Sequence, residues 1–101
     1  MIWVTSATPA AEADIAEAID WYEDQAAGLG ARLLSEVNGL RARIAANPFQ
    51  FPLVYRDARK ASLHRFPYVL FFRVLEDEAR LLAFFHTRRD ARRWQARVRR
   101  S

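Results

Sequence analysis

At 101 residues, with 51% hydrophobic and 13% aromatic side chains, the chain can bury the core of one domain spanning 1–101, and a disordered tail is excluded. It has no cysteine, so disulfide scaffolds and thiolate metal sites are excluded too, and a reducing cytoplasm suits it. The N-terminus lacks a basic start followed by an apolar stretch, and no apolar run approaches the roughly 20 residues that span a bilayer, so no membrane is expected.

The net charge of +4 hides a strong asymmetry. No Lys or Arg precedes Arg32, whereas Glu12, Asp14, Glu17, Asp20, Glu23 and Asp24 crowd the first third. The tail reverses this, with Arg88, Arg89, Arg92, Arg93, Arg97, Arg99 and Arg100 set against Asp90 alone. Such a distribution points to an anionic partner, either nucleic acid or an acidic protein segment. Lys60 is the only lysine, and the bias to arginine favours bidentate recognition of phosphate or carboxylate.

In chain order, Met1 to Ser6 reads as a first strand. Thr8 followed by Pro9 is an N-cap with proline at the first helical position, and Ala11, Ile15, Ile19 and Tyr22 recur at helical spacing. Glu12, Asp14, Glu17 and Asp20 read as the solvated face of that helix. Gly28 and Gly30 bracket a break, after which Leu29, Leu33, Val37, Leu40 and Ile44 form a second stripe that Asn47 and Pro48 close. The short loop predicts an antiparallel helical hairpin.

Beyond Pro52 the period falls to two. Leu53 to Arg56, Arg59 to Phe66, Tyr68 to Leu75 and Arg80 to Thr87 read as strands, with Glu76, Asp77 and Glu78 as a hairpin turn. In that register Leu70, Phe72 and Val74 share the core face with Leu81, Ala83 and Phe85. Val69, Phe71, Arg73, Leu75, Arg80, Leu82, Phe84 and His86 lie on the opposite face, so Arg73 and His86 look out where the helices do not cover the sheet. His64 alternates outward from its strand. The class is α+β: an N-terminal strand, a helical hairpin on a mainly antiparallel four- to five-stranded sheet, and a short C-terminal helix.

Four motifs in this order, "WYEDQAAGLGARLLSEV", "PFQFP", "RFPYVLFF" and "HTRRDARRW", cover nearly the whole chain, which resembles the RelE/ParE toxin superfamily. The resemblance implies the toxin of a type II toxin–antitoxin pair. A cognate antitoxin would wrap it with an extended or helical segment in a hetero-oligomer, and operator DNA would be reached only through that antitoxin. Activities in the superfamily divide between poisoning DNA gyrase and cutting messenger RNA on the ribosome.

In the C-terminal motif Asp90 is placed to cap a short helix by accepting from N–H groups near Arg93, although Ala91 stands where the family usually has proline. Trp94 would anchor that helix to the sheet, leaving Arg88, Arg89, Arg92 and Arg93 to face a target. Metal-independent ribonuclease chemistry would need a base, an acid and cations for the phosphorane, and here His86 with Arg59, Lys60, Arg65, Arg73 and Arg88 are the candidates. Two departures count against it. Val69 occupies the position where the RNA-cutting relatives carry a basic residue, and Trp94, which cannot exchange a proton, replaces their later functional aromatic.

The "FPY" pattern and the His86-to-Trp94 ending are closer to the ParE-like, gyrase-poisoning branch, in which the chain catalyses nothing. A RelE-like endoribonuclease and a non-toxic antitoxin-binding module are the alternatives. No phosphate loop, metal site or cofactor is implied: the glycines lie in and beside the helical hairpin, and the two histidines are distant from each other.

Overall fold

The computed structural model describes residues 2–101, so Met1 of the expected first strand lies outside the described residues. The elements are β1 (Val4–Ala7), α1 (Pro9–Gln25), α2 (Leu29–Ala46), a 3-10 turn (Pro48–Gln50), β2 (Leu53–Tyr55), β3 (Ala58–Ser62), β4 (Tyr68–Leu75), β5 (Glu78–His86) and α3 (Ala91–Arg100). They form an α+β fold around a five-stranded sheet of order β1-β5-β4-β3-β2. Only the β1–β5 pair is parallel.

Local chemistry sets the hairpin. Thr8 caps α1 through its hydroxyl, which accepts from the Ala11 N–H at 3.1 Å, and Pro9 supplies the first helical residue with its φ already fixed. Gly28 reverses the chain at φ 88°, a left-handed conformation that suits glycine. The Glu23 carboxylate then accepts from the N–H groups of Gly28 and Gly30, both at 2.9 Å, placing a negative charge at the N-terminus of α2. Leu33, Val37, Leu40 and Ile44 of α2 and Ala11, Ile15 and Ala18 of α1 are buried against one sheet face. Asn47 ends α2 and accepts from the Phe49 N–H through its side chain.

The sheet departs from simple alternation at one point. Phe71 pairs with Ala83 but Phe72 with Leu81, so Leu82 is an extra residue in β5. This bulge puts Leu82 and Ala83 on the same face and inverts the facing of everything after them. Leu70, Phe72 and Leu81 are in the hairpin-side core as the pattern predicts, with Val74 packed against it. Ala83 and Phe85 are not: they join Val69 and Phe71 on the opposite face, and Phe84 takes the core position instead. His86 is carried with Phe84 to the hairpin side, where its ring meets Tyr68 edge-on at 5.3 Å.

Several strand boundaries also differ from the pattern. β3 stops at Ser62, so His64 is in the following loop, β2 stops at Tyr55, and Glu78 belongs to β5, where it pairs with Leu75. The turn itself is Glu76 and Asp77, with Glu76 at φ 50°.

The second sheet face is not open, because α3 lies on it. Val98 is buried with Leu82 and Ala58, and Trp94 stacks on Phe71 with centroids 4.2 Å apart and planes at 14°. Arg73 therefore does not look outward. Its guanidinium donates to the backbone oxygens of Val98 at 3.1 Å and Ser101 at 2.7 Å, and so holds the end of α3. It also donates to Asp57 Oδ1 at 3.2 Å, and its Nε lies 3.0 Å from Asp57 Oδ2 at an angle outside hydrogen-bond geometry.

Candidate target-binding surface

The surface is built where β5 gives way to α3. The Thr87 N–H donates to the Pro67 carbonyl, the Arg88 N–H to His86 Nδ1 at 3.0 Å, and the Arg89 N–H to the His86 carbonyl. With Nδ1 as acceptor, the neutral imidazole carries its proton on Nε2. This tight path turns the chain into α3 and brings Arg88 and Arg89 out beside its first turn.

Asp90 caps that turn, accepting from the Arg92 N–H at 2.9 Å, one residue earlier than the expected partner Arg93; the Arg93 N–H bonds instead to the Asp90 backbone carbonyl. The Arg92 guanidinium also grips the carboxylate, with Nη2 to Oδ2 at 2.7 Å and Nε to Oδ2 at 3.0 Å. These bonds from Arg92 hold the Asp90 carboxyl down to about 2. Ala91 therefore leaves the start of the helix intact. Of the four arginines expected to face a target, Arg92 is committed to Asp90. Arg88, Arg89 and Arg93 are exposed, and the Arg89 guanidinium lies over the Phe85 ring at 5.1 Å.

Beside this helix runs a groove of about 210 Å³, whose floor includes Val69, Phe71, Phe85 and Trp94 and whose rim holds Lys60, His86 and Arg89. A larger cleft of about 400 Å³ lies on the hairpin side, bordered by Trp21, Tyr22, Tyr68 and Glu17, and shares His86 and Arg89 with the groove. Burial, and secondarily the neighbouring Tyr22, raises the Tyr68 phenol above its ordinary value, so Tyr68 is a neutral hydroxyl near pH 7.

The residues named for phosphate chemistry are dispersed. Lys60 and His86 both line the groove, and Arg88 is exposed in the turn that follows β5. Arg59 is instead bound to the Phe51 carbonyl at 2.7 Å and covers the Phe49 ring, and Arg73 holds α3. Arg65 lies by Arg32 and Glu36 on the helical-hairpin side.

Sequence reading missed Asp14 and Arg97. Asp14 was expected on the solvated face of α1, yet its side chain is only 15% exposed. It accepts from Arg97 Nη1 at 2.7 Å and from the Phe84 N–H at 3.1 Å, while Arg97 also donates to the Leu82 carbonyl. The pair thus satisfies backbone groups that the β5 bulge turns outward. A signal was present: Asp14 falls between Ala11 and Ile15 at the i+3 step of the buried stripe, and Arg97 between Trp94 and Val98 in the same way.

The architecture is that of a small α+β protein, with a helical hairpin on one sheet face and an arginine-rich helix on the other. The chain belongs to the family described as ParE toxin of type II toxin-antitoxin system, parDE, whose model matches residues 6–91. No curated protein matches it in sequence. Among solved structures it is similar in fold to one described as a chromosomal ParDE TA system from P. aeruginosa, with a TM-score of 0.72 and 20% identity over 84% of this chain and 96% of that one.

Proposed function

We propose that this chain is a growth-arresting toxin that binds and stalls DNA gyrase in the cytoplasm, and that a cognate antitoxin neutralises it by forming a hetero-oligomer. The family membership supports the toxin and its antitoxin partner. The observation that carries the choice of target is the fate of the cations. Arg59 and Arg73, which an RNA-cutting site would need, are bound to backbone carbonyls within the fold, and Arg65 faces elsewhere. What stays free is a cluster of exposed arginines at the end of β5 and on α3, a binding surface rather than an acid–base arrangement. The open groove beside Trp94 and the cleft beside Trp21 offer the antitoxin apolar surface to cover.

Tightly induced expression without antitoxin, with DNA and protein synthesis pulse-labelled in the first minutes, tests this reading. DNA synthesis should fall first, and purified gyrase should lose supercoiling activity when the protein is added. An earlier fall in protein synthesis would instead establish the ribosome and messenger RNA as the target. Arg88→Ala with Arg89→Ala should relieve the arrest while leaving the fold intact, and unchanged toxicity would remove these arginines from the mechanism.

A further inference from the structure

We propose that the outer surface of α3 and the turn before it bind the phosphate backbone of duplex DNA directly, without sequence preference and without any other protein. Five guanidiniums in this 13-residue stretch, Arg88, Arg89, Arg93, Arg99 and Arg100, have no carboxylate within ion-pair distance among the described residues. Arg92 and Arg97 are neutralised by Asp90 and Asp14. Arg93 and Arg100 are seven residues apart, which places them on one side of the helix about 10 Å apart along its axis. Arg99 is held sideways by the Tyr55 hydroxyl at 3.0 Å, and that bond lowers the pKa of the phenol without cancelling the charge of the arginine. Arginine forks suit phosphate oxygens bidentately, and a row of them on a docked helix fixes position on a duplex while reading no sequence.

The aromatic chemistry of the same surface separates duplex from single strand. Single-strand binders offer open rings on which bases stack. Here Trp94 has one face on Phe71 and Tyr55 against it edge-on, and Phe85 is covered by Arg89 and Arg97. The surface therefore supplies charge without a stacking platform, which matches a duplex whose bases are already paired. The contact is separate from any recognition of operator DNA.

Fluorescence anisotropy of the full chain with a labelled mixed-sequence duplex of about 20 base pairs, in about 50 to 200 mM salt, tests the proposal. Engagement of four to five phosphates gives a slope of log affinity against log salt near −4, a loss of roughly 100- to 500-fold across that range. Arg93→Gln and Arg100→Gln, both at exposed positions, should each reduce the slope by about 0.9, while Arg32→Gln, away from the surface, should not change it. Absence of binding at the low-salt end, equal effects of all three variants, or tighter binding to single-stranded RNA of the same length would overturn it. Gyrase is absent from this assay, so its failure leaves the gyrase reading standing, and loss of the gyrase reading leaves this contact intact.

Discussion

Asp90 accepts from the Arg92 backbone and holds the same residue's guanidinium, so one carboxylate both caps α3 and pairs the charge of an arginine that stays exposed. Its pKa is lowered in the folded state, to about 2 from an ordinary value of 3.8. A depressed carboxyl contributes stability that is complete above the ordinary range and is lost as pH falls through the folded value. The cap should therefore be constant above about pH 5 and weaken between about pH 4 and 2; side-chain carboxyl NMR shifts of Asp90 would show the midpoint. Trp94, half-buried between Phe71 and Tyr55, is the complementary apolar attachment. Trp94→Ala should cost about 2 to 3 kcal/mol in urea unfolding, and a negligible loss would mean that the ring is free to contact a target.

Helical-hairpin geometry depends on a close approach that one glycine permits. A Cβ on Gly30 would sit 2.8 Å from the Ile19 carbonyl oxygen, a backbone atom that cannot step aside, and 3.0 Å from Glu23 Cβ. Gly30→Ala should therefore separate α1 from α2 and destabilise the protein by about 1 to 3 kcal/mol, lowering its thermal midpoint. Gly39 in the same helix has open space at its Cβ, so Gly39→Ala should be neutral or stabilise by up to about 1 kcal/mol. In the sheet, Arg73 and Arg80 stand directly opposite each other across β4 and β5. Like charges so placed repel, and here Asp57 beside Arg73 and Glu78 beside Arg80 offset the repulsion. Glu78 in turn accepts from the Ser6 hydroxyl, and the bonds from Ser6 and Arg80 lower its pKa, tying β1 to the same row.

Across the whole molecule, the Asp14–Arg97 pair joins the hairpin on one face of the sheet to α3 on the other, at the point where β1 has ended and the β5 edge is open. Both side chains are largely shielded, at 15% and 23% exposure, so removing one partner strands the other charge. Asp14→Ala should cost about 2 to 3 kcal/mol and should raise amide hydrogen exchange in α3 before it does so in β4. Arg97→Ala should have a similar effect, and the double variant should cost less than the sum, since each substitution alone leaves an orphaned group. The same link separates the charges of the molecule. Acidic side chains remain on the outside of α1, and the unpaired arginines gather on the far side around α3.

Much of this architecture was legible in the residues. Thr8–Pro9, the Gly28 break, the Leu33-to-Ile44 stripe and the Asn47–Pro48 stop are local signals, so helix limits follow from capping and backbone chemistry alone. The C-terminal arginines and the family likeness were equally plain, because charge order and motif order survive without coordinates. The register of β5 was not. A single extra residue at Leu82 leaves no mark in an unbroken apolar run, and it is held by Asp14 and Arg97, each more than ten residues away in sequence. That bulge decided which face Ala83, Phe84, Phe85 and His86 occupy. Composition likewise counted the arginines without sorting them. Only packing distinguishes Arg59, Arg73 and Arg97, bound to carbonyls and carboxylates within the fold, from the exposed Arg88, Arg93 and Arg100, because a guanidinium's partner is fixed by where the chain returns in space.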